Sequence, residues 1–518
     1  MQCEGYDLGR MFEEAAARHA ARPALLVAGN SVTYGQLHEA AASLGRAIRA
    51  EIGMGRQVAV LTGKRLSSYV SILATLLSGN AYVPLNRAHP CERSADIVAQ
   101  AEAAMILADK DDADGLRNIL DRLEAPPPIR IVDGSGRTLR RLVAPRTELP
   151  RTGAKHGRVA YVMFTSGSTG RPKGVPIGHD NVCHFIEYNN SVYDFGDFDV
   201  FSQNFDLTFD LSVFDMFMAW TNGACLCVPR EMEIVSPYRY VRENKVTVWF
   251  SVPSAINVLR RLGTLSPGSL PGLRWSLFCG EPLSIAAADA WSAAAPASIV
   301  ENLYGPTELT ICCASYRYNP EAARSIVSGD TIPIGRVYEG LQFAILDREG
   351  RPASDGAIGE LYIAGPQNFR GYWHDPERSL AAHVLAAEAD GTVRLYYRTG
   401  DHVRRLRSGD LEFVGRVDDQ VKVRGYRVEL GEVERAIRAH RGVVDAAVLP
   451  WPVVEGIADG LVAFVTGQAV DPGDLGDTLR ERLPAYMVPG QVRLLDELPK
   501  NTNGKVDRAT LRTKLSPS

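Results

Sequence analysis

Short apolar runs bounded by glycine and proline alternate with Ala- and Leu-rich stretches through roughly the first 410 residues, the pattern of alternating buried strands and helices. Residues 57–61 (QVAVL), 246–252 (VTVWFSV) and 275–279 (WSLFC) carry few polar positions, as strands covered on both faces do. Residues 12–21 and 67–77 predict helices, and Pro126, Pro127 and Pro128, followed by Gly134 and Gly136, predict a surface connection. From Gly359 the pattern turns to strands in GELYIAG, VRLYYRTGD and LEFVGRVDDQVKVRGYRVEL. Residues 430–440 (LGEVERAIRAH) then space Val433 and Ile437 four apart, as an amphipathic helix requires.

A chain of 518 residues is too long for one hydrophobic core. The pattern predicts an α/β protein: a large N-terminal domain of layered sheets and helices over 1–415, and a small α+β domain over 416–518. The boundary falls where charged residues 416–420 follow a strand ending at Gly415.

Composition removes several function classes. The chain is 45% hydrophobic and 23% charged with a net charge of −4, so no basic field exists to gather nucleic acid or anionic lipid. No eighteen apolar residues run together, so no membrane span is expected. The first residues, MQCEGYDLGRMFEEAAARHA, place acids early and lack a signal-peptide core. Eight cysteines are sparse, and neither Cys225/Cys227 nor Cys312/Cys313 has zinc-site or redox spacing. Reduced thiols in a cytoplasmic protein are the expectation.

Residues 163–175 read MFTSGSTGRPKGV, with three glycines, four hydroxyl residues, one proline and one lysine after a strand-like YVMF. Glycines let successive backbone N–H groups converge, Thr165, Ser166, Ser168 and Thr169 add donors, and Lys173 adds a compact charge. A triphosphate needs such a cradle. It is not the Walker pattern, because Lys173 follows a proline rather than opening a helix.

The ordered string TSGSTGRPKG resembles the signature of the adenylate-forming superfamily. From SVTYGQL at residue 31 to LPKNTNGKVDR at residue 498, the chain resembles stand-alone adenylation enzymes of nonribosomal peptide assembly and the D-alanine–carrier protein ligases. The resemblance implies that Gly167 belongs to the phosphate loop and that Gly280, Glu281 and Pro282 line the nucleotide side. In NLYGPTE it implies that Asn302 bonds the adenine edge, Tyr304 stacks on the ring, Thr307 touches the α-phosphate and Glu308 holds Mg²⁺. Asp401 of RTGD would grip the ribose hydroxyls, and Arg416 would lie near ribose and phosphate. Asp418 matches the hinge about which the small, mobile domain turns. Lys505 of NTNGKVDR would bridge the substrate carboxylate and the α-phosphate, offsetting the repulsion of two anions.

The resemblance also implies ATP and Mg²⁺ as cofactors, an amino-acid substrate, and a phosphopantetheine-bearing carrier protein acting in trans, since no carrier-type attachment motif precedes Ser518. Phe209 is implied as an aromatic gate and Asp210 as the partner of the substrate ammonium; the alternative for Asp210 is a helix N-cap. The matching pocket is Leu211, Phe214, Ser251, Leu277, Cys279, Leu303, Ile311 and Cys312. It holds no second charge and favours a small neutral side chain: alanine first, then serine, glycine or cysteine. D-alanylation of cell-envelope polymers and an acyl- or aryl-CoA ligase are the competing readings. Asn86, Ala364 and Asn368 depart from the usual motifs, and Leu303 is bulkier than in D-alanine ligases.

Overall fold

The computed structural model describes residues 7–141, 158–167, 171–230, 233, 236–327, 329–388, 391–468, 470–501 and 505–515. The architecture is mixed α/β, with a large N-terminal domain and a small C-terminal one. Two large sheets dominate the first. One runs in the order Thr138–Arg141, Ile129–Val132, Met105–Asp109, Gln57–Thr62, Ala81–Asn86, Val159–Thr165 and Lys173–Gly178. The other has nine strands, and its centre pairs Val200–Ser202, Val248–Ser251, Trp275–Phe278 and Ile299–Tyr304 in parallel.

Parallel strands demand cover on both faces, and the helices supply it. Leu66–Leu77 and Leu211–Thr221 are buried almost all round, as their nearly continuous apolar sequences require. The predicted helices fall at Leu8–Arg18 and Leu66–Leu77. The proline-rich connection is a partial miss, because Ile129–Val132 inside it forms a strand. Ile129, Ile131 and Val132 pack into the core, and that burial overrides the turn chemistry on either side.

A five-stranded sheet follows, in which Leu411–Arg416 pairs with Val393–Arg405. The small domain then builds a four-stranded sheet opened by the hairpin Gln420–Val423 and Tyr426–Glu429, and a three-stranded sheet around Leu461–Gly467. The amphipathic helix Leu430–Arg438 buries Val433 and Ile437 against it. Among the described residues no helix is long and apolar enough to cross a membrane, and the seven described cysteines are free thiols.

Candidate active site

Crevices at the carboxyl ends of parallel strands are where open α/β sheets bind ligands, and both large sheets end at one cleft of about 830 Å³. Strand Val159–Thr165 delivers Thr165 and Ser166, strand Trp275–Phe278 delivers Cys279, and strand Ile299–Tyr304 delivers Asn302, Leu303 and Tyr304. The small domain closes the opposite side with the Gln420–Glu429 hairpin.

Asp210 therefore faces one cavity with Thr165 and Ser166 of the glycine-rich segment. Asp210 stands at the N-cap of helix Leu211–Thr221, yet its side chain makes no capping bond. One oxygen has no partner although it is buried. Burial drives its pKa up to about 6, against the pull of hydrogen bonds from the Thr307 hydroxyl and the Ile311 amide. A buried carboxylate oxygen left without a donor calls for a cationic ligand. Phe209 meets the Tyr426 ring edge-on at 4.9 Å, and Tyr426 stacks on Tyr486 at 3.9 Å.

On the other arm, the Tyr304 hydroxyl and Arg416 both donate to Asp401, each at 2.5 Å. Asn302 uses its amide N–H on the Pro333 carbonyl and keeps its side-chain oxygen unpartnered. The Thr165 hydroxyl is buried without a partner as well. These are the orphan groups a polar ligand would satisfy. Asp418 sits beside the cleft in a two-pronged pair with Arg416 at 2.6 and 2.8 Å.

Lys173 opens a strand, as its proline neighbour suggested, and lies behind the loop. Its ammonium is 3.2 Å from Glu308, which also accepts from the Tyr372 hydroxyl at 2.9 Å and from Arg427 at 2.7 Å. Burial acts to raise the Glu308 carboxyl, but the charges of Arg427 and Lys173 win and hold it far below the ordinary range. Burial brings Lys173 down to about 8, helped by Arg427 and opposed by Glu308.

The side-chain pocket is shallower than the sequence implies. Leu211, Cys279, Leu303 and Ile311 reach the cleft, together with Gly280, Glu281 and Pro282. Phe214, Ser251, Leu277 and Cys312 are buried behind that wall. Phe214 packs edge-on against Phe250 at 4.8 Å, and the Ser251 hydroxyl accepts from the Trp249 indole at 2.9 Å. Cys279 and Cys312 share a hydrogen bond that draws the Cys279 thiol down.

Lys505 lies apart from the other site residues. It is exposed and does not line the cleft. The Gln420–Glu429 hairpin of the same small domain fills that side instead. Ser168 and Thr169 lie outside the described residues. Gly167 donates its amide to Glu432 at 3.1 Å.

Sequence reasoning missed Lys422 and Arg427, which pair across the hairpin, and Arg508 and Arg512, which also reach the cleft. The signal was the alternation of Lys422, Arg424 and Arg427 with apolar residues around Gly425, a cationic hairpin read only as strand. Asn86 now has a reason. Its amide donates to Asp206 at 2.8 Å, where a second carboxylate would be repelled.

Comparison with known proteins agrees with this anatomy. Residues 12–373 match the AMP-binding enzyme family, and residues 432–505 match the AMP-binding enzyme C-terminal domain. Tyrocidine synthase 3 of Brevibacillus parabrevis is 33% identical over 97% of this chain, which spans 8% of that protein's length. The L-proline--[L-prolyl-carrier protein] ligase of Streptomyces coelicolor is 33% identical over 96% of this chain and 94% of its own. The crystal structure of the Vibrio cholerae adenylation domain AlmE, in complex with glycyl-adenosine-5'-phosphate, superposes with a TM-score of 0.87 at 31% identity, covering 99% and 98% of the two chains. With the nucleotide-type cleft, the small second domain and both family segments in their expected order, the chain belongs to the AMP-binding, adenylate-forming enzymes.

Proposed function

We propose that the protein activates a small neutral amino acid with ATP as an aminoacyl-AMP and passes it to the phosphopantetheine thiol of a carrier protein. The observation that carries this reading is the unpartnered, buried oxygen of Asp210 in the same cleft as the phosphate loop. An acyl or aryl acid has no cation to satisfy it, which disfavours a CoA-ligase reading. The relatives above include an enzyme named for proline and a structure holding a glycyl adenylate, so the class of ligand is consistent while the side chain is this chain's own matter. With Leu211, Leu303 and Ile311 as walls and a thiol from Cys279, alanine is the first choice, then serine, glycine or cysteine.

In this reading the substrate carboxylate attacks the α-phosphorus in line, and the bond to pyrophosphate breaks with its electron pair leaving on pyrophosphate. Tyr304 offers its ring face to the adenine, and Asn302 its free oxygen to the amino edge. Asp401 accepts from the ribose hydroxyls, while Thr307 and Lys505 stabilise the crowded phosphate. Glu308 suits Mg²⁺: it is a hard oxygen donor beside the loop, and no cluster of three metal-type side chains occurs among the described residues. Such a site leaves the remaining positions to phosphates and water. When bound, the ion neutralises charge on the phosphates. The small domain, taken from 416 onward, then turns about Asp418 to admit the thiol.

Amino-acid-dependent ATP–pyrophosphate exchange tests the reading, with a panel of both alanine enantiomers, glycine, serine, cysteine and L-proline. Strong exchange with alanine and little with proline is expected. Exchange with fatty or aromatic acids and no amino acid would overturn it. Gly425 supplies a second prediction. Its φ is +85°, and an added Cβ would lie 2.5 Å from a Val252 methyl. Strain of about 1–3 kcal/mol at such a position should slow carrier loading about tenfold or more in Gly425→Ala and leave exchange nearly unchanged. Equal loss in both half-reactions would contradict the role given to the hairpin.

A further inference from the structure

The small domain closes the cleft with charges set where a nucleotide's own charges would go. Arg427 lies 2.7 Å from Glu308, the carboxylate assigned above to a divalent cation. Five residues on, Glu432 accepts the Gly167 amide of the phosphate loop at 3.1 Å. Neither contact is a surface accident. Glu308 and Glu432 are 0% and 3% exposed, and Arg427 only 16%. Arg93 of the large domain holds the other Glu432 oxygen at 2.7 Å, and the Ser166 hydroxyl donates to the Arg427 carbonyl at 2.8 Å.

Removing a metal and a polyphosphate from such a site leaves two buried debts. Glu308 keeps only Lys173, at 3.2 Å, as a cationic partner, and an under-neutralised buried carboxylate is costly. A loop amide stripped of its phosphate oxygen is likewise an unsatisfied donor. Arg427 and Glu432 satisfy both at once, with opposite charges in the matching places.

We propose that this face of the small domain is an ionic surrogate for magnesium pyrophosphate. Arg427 replaces the cation on Glu308, and Glu432 replaces a phosphate oxygen on Gly167. The docked arrangement and Mg·pyrophosphate then compete for the same two groups, so departure of that product licenses closure. Arg427 and Glu432 act as positioning residues in this scheme. The proposal rests on the nucleotide reading of the cleft, but its test needs neither amino acid nor carrier.

The full chain would carry spin labels at Leu262→Cys and Val444→Cys, both exposed, at 56% and 75%. The inter-domain distance is then followed while Mg²⁺ and inorganic pyrophosphate are added together. Wild type is expected to leave the docked distance as the pair is added. Arg427→Met should do so at a concentration at least fivefold lower, and Glu432→Gln should shift in the same direction. Arg427→Lys, which keeps the charge, should stay within about twofold of wild type. A distance that ignores Mg·pyrophosphate, or Met and Lys variants that behave alike, would overturn the surrogate. Failure of amino-acid-dependent exchange with a normal distance response would instead count against the substrate reading alone and support the surrogate.

Discussion

Asp210→Asn is expected to lower kcat/KM for the amino acid by roughly 10²- to 10³-fold and, at the same time, to stabilise the ligand-free protein at pH 7. Both effects come from one buried oxygen. Breaking a buried charge pair by removing one member costs about 3–5 kcal/mol, and that loss falls on substrate binding. Stability moves the other way. Burial raises the Asp210 pKa from 3.8 to about 6, so the folded protein holds a proton that the unfolded chain has lost between those two values. Stability contributed by this group therefore falls as pH rises through that window, and at pH 7 the ionised carboxylate costs about 3 kcal/mol. Asparagine avoids this, less about 1 kcal/mol for its own unsatisfied amide. Thermal melts from pH 4 to 8 should show the variant gaining about 2 kcal/mol only at the upper end. In wild type the acid limb of kcat/KM should break near pH 6, and the variant should lose that limb. A variant that keeps selectivity and full kcat/KM would remove Asp210 from the ammonium site.

Lys505→Ala is expected to separate the two half-reactions. Preorganised charge at a transition state is typically worth 10²–10³ in rate, so amino-acid-dependent pyrophosphate exchange should fall about that far. Carrier loading from preformed aminoacyl-AMP should stay within about twofold of wild type, because Lys505 is exposed and away from the cleft when the hairpin is docked. Loss of both steps together would indicate a folding role, and retention of exchange would deny the lysine its place at the α-phosphate.

Much of this was legible in the sequence because its chemistry is carried by contiguous strings. TSGSTGRPKG and NLYGPTE each end a buried strand, so a loop motif after an apolar run already locates the carboxyl edge of a parallel sheet. Asp210 was legible as a charge in an apolar helix entry. The depth of the pocket was not. Phe214, Ser251, Leu277 and Cys312 fall behind the wall because neighbouring side chains such as Phe250 and Trp249 claim them, and no local pattern reports who packs against whom. The docking contacts were hidden for a related reason. Arg427 and Glu308 are 119 positions apart, and only the turn of one domain onto the other brings them together. The strand at Ile129–Val132 escaped because its proline and glycine flanks read more loudly than a strand of only four residues.

The joint between the domains also bears on ionic strength. Its outer pairs, Arg260–Glu455 at 2.8 Å and Arg261–Asp459 at 3.2 Å, are 27–58% exposed, and pairs of that kind fade once the Debye length drops to about 3 Å in molar salt. Arg93–Glu432, at 6% and 3% exposed, sits beyond the reach of counterions. Added sodium chloride should therefore loosen the rim of the joint and leave its centre seated, giving a closure that brine weakens only slightly.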